Sequence, residues 1–113
     1  MTDRLTRYRQ VDYPLPETYL SWDLFGAGLE HLGRKGQPVQ RPLRPPEPDE
    51  LLLRVDALGL CFSDTKLIWA GPDHPRIRGR DLARDPTVAG HEAALTVVRV
   101  GADWQDRFEP GQR

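Results

Sequence analysis

Cysteine is nearly absent from this chain: Cys61 is the single thiol in 113 residues. One thiol excludes a disulfide within the chain and a structural zinc site built from four cysteines. Any metal held here shares Cys61 with histidine, carboxylate or water. Charge of one sign is missing too. Sixteen Lys and Arg against 17 Asp and Glu leave a net charge of -1, so no basic face is implied and neither nucleic acid nor an anionic membrane surface is an expected partner. Long hydrophobic runs are lacking. The stretches Leu51–Leu53 and Ala57–Phe62 are far too short to span a bilayer. The first ten residues carry no apolar signal-peptide core, and a cytoplasmic location is the default expectation. The length fits one domain with a modest core.

Proline is what the chain has in excess. Eleven prolines are about twice the usual share, and they disfavour long helices in favour of loops, edges and short strands. Residues 1–17 are polar and end in Pro14 and Pro16, which suggests a loose N-terminal segment ahead of a domain over 18–113. Thr18–Phe25 is rich in aromatic and β-favouring residues and reads as a first strand. Gly26 to Gly36 reads as a turn region and Val39 to Arg41 as a short strand. Glu50–Leu58 alternates strongly. Leu51, Leu53, Val55 and Ala57 fall on one face, and Leu52, Arg54 and Asp56 on the other. Ser63–Ala70 reads as a short helix with Ser63 as N-cap, Asp64 in the first turn, and Gly71 and Pro72 as stop signals. Pro72–Pro86 carries four arginines and no apolar period, as a surface loop would. Ala93–Val100 is a strand, followed by turns at Gly101–Asp103 and Glu109–Gly111. Gly26-Ala27-Gly28 lacks the third glycine and the βαβ context of a nucleotide loop. Strands dominate and helices are short, the pattern of a small barrel or sandwich.

Two segments carry the chemistry: Gly59-Leu60-Cys61-Phe62-Ser63-Asp64 and Ala89-Gly90-His91-Glu92. Their order is specific: a strand, a Gly-x-Cys-x-Ser-Asp turn, a short helix, then Gly-His-Glu opening a Val-rich strand. So is the close, Val100-Gly101 and then Phe108 to Arg113. This arrangement resembles the GroES-like N-terminal domain of the medium-chain dehydrogenase/reductase superfamily, on its zinc alcohol and sorbitol dehydrogenase side. The resemblance covers Thr18 to the end and is tightest from Asp49 onward. It implies a mainly β fold, a partly open GroES-like barrel with short helices, truncated before the Rossmann domain that would hold NAD(P). It implies Cys61 and His91 as ligands of a catalytic Zn²⁺, with further ligands outside these residues. Ser63 would take the substrate alcohol's proton, Asp64 would brace the zinc-bound histidine, and Glu92 would be the acid behind the metal. A small-molecule alcohol or polyol is then the substrate, and the full-length protein a homo-oligomer. These residues alone would be incomplete and inactive.

Thiolate and imidazole suit zinc's borderline softness, and an open coordination position makes a bound alcohol more acidic. Hydrophobic walls such as Phe62 and Trp69 would keep such a site dry. In a regular strand His91 and Glu92 would point to opposite faces, which puts Glu92 behind the ligand unless a bulge at Gly90 intervenes. Bland readings stand beside these. Cys61 is otherwise a small buried hydrophobe, and Ser63 a plain cap. His31 and His74 read as surface histidines. Arginines 76, 78, 80 and 84 suit a solvated loop or, alternatively, an anionic substrate such as a sugar phosphate. The helix-to-His91 loop is longer than usual in the family. Phe62 and Lys66 replace a basic residue and a histidine found in many alcohol dehydrogenases, which favours polyols or sugar derivatives. Two other functions stay open: a non-catalytic GroES-like binding module, and a zinc-free reductase in which Cys61 only packs.

Overall fold

Short strands and short helices make up the computed structural model, which describes residues 3–113. Six strands pair two by two: β1 (Thr18–Ser21) with β3 (Val39–Pro42), β2 (Asp23–Leu24) with β5 (Thr87–Val88), and β4 (Leu51–Gly59) with β6 (Glu92–Val100). The first two pairs are antiparallel, with Thr18 opposite Pro42 and Asp23 opposite Val88. Among the described residues there are also two α-helices, α1 (Arg4–Arg9) and α2 (Phe62–Ala70), and three single-turn 3-10 helices. The mainly β class expected from the sequence is what forms, and no closed barrel is present among the described residues. No helix among them is long and apolar enough to cross a membrane.

The chain divides into two compact units. One takes residues 3–17, 43–58 and 93–113; the other takes Thr18–Pro42 and Gly59–Glu92. In the first, Thr96, Val97 and Val98 of β6 are buried. The alternation predicted for β4 is present, with its burial inverted. Leu53 and Val55 are 40% and 61% exposed, while Arg54 and Asp56 are half-buried and ion-paired at 2.7 Å. The reason is polar. The Thr96 hydroxyl donates to Asp56, and the Arg54 guanidinium donates to the carbonyls of Tyr8 and Gln10 and to the Tyr13 hydroxyl. Satisfied polar groups are cheap to cover, whereas an orphaned buried ion is not. Burial works to raise the Asp56 pKa, but hydrogen bonds from Thr96 and Arg54 outweigh it and hold the carboxyl below its usual range. Gly101 closes this unit. A Cβ there would stand 2.3–2.6 Å from the carbonyl oxygens of Glu47, Pro48 and Glu50, and its N–H donates to Glu50 O at 2.8 Å.

The second unit is centred on Leu24, Ile77 and Leu82, with Leu32, Leu67 and Ile68 packed against them. Ile77 and Leu82 correct the surface-loop reading of Pro72–Pro86. The segment is polar in composition, yet its two large aliphatics are 4% and 1% exposed. Burying such side chains stabilises by about 1.5–3 kcal/mol each, enough to pin a loop that has no period of its own. Other differences are local. Trp22 splits the expected first strand into β1 and β2, which have different partners. Residues 4–9 form a helix capped by the Asp3 carboxylate, which accepts from Leu5 N–H, where composition suggested only a loose segment.

Candidate metal centre

The turn between β4 and α2 sets the first half of the site. Cys61, not Ser63, is the N-cap of α2. A capping box closes the turn: the Cys61 side chain accepts from the Asp64 backbone N–H, and the Asp64 carboxylate accepts from the Cys61 N–H at 3.0 Å. Each half satisfies an amide that the helix start leaves unpaired. Ser63 lies two positions past this cap and is exposed. Its hydroxyl donates to Cys61 Sγ at 3.4 Å.

The second half arrives from β5 and β6. Gly90 has φ +103°, a left-handed conformation that costs glycine little and other residues considerably. It turns the chain so that its own N–H donates to Asp64 Oδ1 at 3.1 Å. The next residue, His91, places Nδ1 3.3 Å from the same oxygen. One buried carboxylate, 6% exposed, therefore holds both halves: the amide of Cys61, the amide of Gly90 and the ring of His91. The hydrogen bond from the Cys61 backbone, with those from His91 and Gly90, holds Asp64 below the usual carboxylate range against the opposing effect of burial. Anionic Asp64 orients the imidazole with Nε2 turned away from the carboxylate, the arrangement in which a second group braces a ligating histidine.

Cys61, His91 and Glu92 each bring one donor atom to within 4.8 Å of the others. His91 Nε2 and Glu92 Oε1 are 3.8 Å apart. The pleat rule that would send Glu92 to the opposite face does not govern this pair, because β6 begins at Glu92. Donors on one tetrahedral zinc, at 2.0–2.3 Å from it, lie about 3.5 Å apart. Thiolate, imidazole and carboxylate at the observed spacing could hold such an ion after a small closing movement. His91 and Glu92 are half exposed, at 52% and 56% of their side chains, so the way in is open.

A cavity of about 650 Å³ opens beside this cluster, lined by Ser63, Asp64, Leu67, His74, Arg76 and His91 among others. Phe62 and Trp69 do not wall it; they are 75% and 65% exposed. His31 is on the surface as expected. His74 is not. It is half-buried and lines the cavity, with Nδ1 accepting from the Arg76 N–H at 3.2 Å. Nothing in the spacing of His74 marks it. The signal that could have found it is indirect: Ile77 and Leu82 are the large aliphatics of an otherwise polar stretch, and burying them draws the residues around them inward.

Residues 47–113 match the family described as alcohol dehydrogenase GroES-like domain. The chain belongs to that family. Its relatives lie on the alcohol and sorbitol dehydrogenase side. L-sorbose 1-phosphate reductase of Klebsiella pneumoniae is 42% identical over 65 residues, 58% of this chain and 16% of the relative. Sorbitol dehydrogenase of Gallus gallus is 44% identical over 73 residues, 65% of this chain and 19% of the relative. Alcohol dehydrogenase notN of an Aspergillus species is 33% identical over 94 residues, 80% of this chain and 26% of the relative. The GroES-like domain described here thus spans between about a sixth and a quarter of the length of these proteins. No solved structure gives a significant match.

Proposed function

We propose that this GroES-like domain is the zinc-holding substrate domain of an NAD(P)-linked dehydrogenase that oxidises a polyol or secondary alcohol. The observation that carries the reading is the Asp64 staple, which draws Cys61 and His91 together from 30 positions apart in sequence. A carboxylate spent on two backbone amides and one imidazole is costly to arrange for packing alone. It is what a pre-oriented ligand pair needs.

Cys61, His91 and Glu92 would hold the ion, and water or substrate would complete its coordination. Zn²⁺ bound there supplies Lewis acidity toward the alcohol oxygen. The protein's own residues do the rest. The Ser63 hydroxyl, on the cavity wall and 3.4 Å from Cys61 Sγ, takes the alcohol proton and passes it outward. Asp64 fixes the tautomer and angle of His91. The cavity, inside the usual 300–1,000 Å³ range for small-molecule sites, orients the carbon that gives up hydride. NAD(P) as acceptor belongs to a separate nucleotide domain, since the described residues contain no strand–glycine turn–helix unit. On this reading the 113 residues alone turn over no alcohol, and the complete enzyme works in the cytoplasm as a homo-oligomer.

Metal analysis tests the proposal. Purified chain should carry about one zinc, and replacement by Co²⁺ should give the near-ultraviolet charge-transfer band of a thiolate ligand. Cys61→Ser and His91→Ala should each lose the metal. A folded chain that takes up neither ion overturns the reading and favours a non-catalytic binding module.

A further inference from the structure

The cavity beside the metal cluster has a cationic side that the proposed chemistry does not use. Four arginines stand in the loop after α2, and their surroundings separate them. Arg80 donates to the Asp85 carboxylate at 3.0 Å and to the carbonyls of Asp85 and Pro86. Arg84 lies 3.8 Å from Asp81. Arg78 does not line the cavity. Arg76 does, and among the described residues no carboxylate lies within ion-pair reach of it. A guanidinium presents five donors in a planar fork that matches the oxygens of a phosphate. One left without a counter-ion on a concave wall is a ready anion receptor.

Its neighbour adds a second donor. His74 Nδ1 accepts from the Arg76 N–H at 3.2 Å. In the neutral ring that leaves Nε2 bearing the hydrogen. Arg76 and His74 are thereby tied into one local unit with donors on the same cavity. The carboxylate on that wall, Asp64, does not oppose an incoming anion strongly, because it already accepts from three N–H groups.

We propose that Arg76, with His74, binds the phosphate monoester of a phosphorylated polyol whose reacting hydroxyl faces the metal cluster. The assignment deepens the dehydrogenase reading and rests on it for the identity of the polyol. A phosphate monoester could reach Arg76 from two sources: the substrate, or the 2′-phosphate of an adenine dinucleotide. The substrate is the favoured source, because Ser63 and His91 line the same cavity as Arg76.

The test is a titration of the 113-residue chain, followed through its arginine Nε–H and histidine ring resonances. Three ligands are used: sorbitol, sorbitol 6-phosphate, and adenosine 2′,5′-bisphosphate. Sorbitol 6-phosphate should bind at least about tenfold more tightly than sorbitol, the low end for a charge-assisted hydrogen bond. Arg76→Gln should abolish that preference, while Arg78→Gln should leave it intact. Equal binding of the two polyols overturns the proposal, as does a preference that survives Arg76→Gln. Bisphosphate binding through Arg76 without sorbitol 6-phosphate binding also overturns it and hands Arg76 to the cofactor. Repeating the titration in Cys61→Ser separates the two readings. A phosphate preference that persists without metal supports the anion site even where metal uptake has failed.

Discussion

The two compact units of this GroES-like domain solve different problems. The unit built on β4 and β6 mixes the two kinds of burial: Thr96 is buried beside Val97 and Val98, Asp56 is half-buried, and Val55 is 61% exposed. The unit that carries the site holds a small aliphatic centre of Leu24, Ile77 and Leu82 and two buried carboxylates, Asp23, which pairs with Arg41, and Asp64. The long strands give a scaffold with no chemistry of its own. The short strands and turns, poor in ladder bonds, leave backbone amides free to be used by a side chain, and that is where the site forms. Loops on a rigid frame are where binding and catalysis concentrate.

Breaking the aliphatic centre should have the largest effect. Leu82→Ala should destabilise the site-bearing unit by about 2–5 kcal/mol, read as a lower urea midpoint together with loss of metal uptake. Asp64→Asn comes next. It keeps the size and loses the charge, so metal affinity should fall by about 10–100-fold, with faster hydrogen exchange at the amides of Cys61 and Gly90. Asp56→Asn, the matching change in the other unit, should cost about 1–2 kcal/mol and leave metal affinity unchanged. Equal metal loss in both variants would erase the distinction between the units. Acid sharpens it less. The Arg44 guanidinium and the Glu47 N–H hold Glu50 down at about 2, and Asp64 is also lowered. A depressed carboxyl contributes stability above its unfolded pKa and loses it as pH falls through the folded one. The unit that holds Glu50 should therefore weaken as pH drops from about 4.5 toward about 2, the unit that holds Asp64 should weaken in the same acid direction, and neither should gain. The smallest effect belongs to Val55→Thr, expected within about 0.5 kcal/mol; a larger loss in thermal melting would mean that this face is covered in solution.

Much of this was legible in the sequence, where a period existed to read. Glu50–Leu58 falls within a residue of β4 because alternation over that many positions is hard to mistake, and Ala93–Val100 falls within a residue of β6 because a β-branched run closed by a glycine turn reads as a strand. The stop of helix α2 is legible at Gly71, but residue preference alone puts its start at Ser63 and not at Cys61. Serine is the better cap by preference, yet a capping box needs an acid three positions on. Lys66 stands there for Ser63, and Asp64 stands there for Cys61. That spacing was available and points to the cysteine. The burial of β4 was not legible, since nothing local says that Arg54 will find the carbonyls of Tyr8 and Gln10. Nor was the cavity, because His74 and Arg76 are brought to it by Ile77, whose burial is a tertiary fact. The resemblance names Cys61, His91 and a bracing Asp64; the structure adds the amides of Cys61 and Gly90, which the same carboxylate accepts from.

The stretch from Tyr8 to Tyr13 is fastened almost wholly by its carbonyl oxygens. Arg54 grips those of Tyr8 and Gln10, and Arg99 grips those of Val11 and Tyr13. Every residue type offers the same carbonyl, so, apart from the Tyr13 hydroxyl that also accepts from Arg54, such a tether is blind to what the held side chains are. Mutation can wander through that stretch at little cost to the fold, while the two arginines that do the gripping are left almost no room to change.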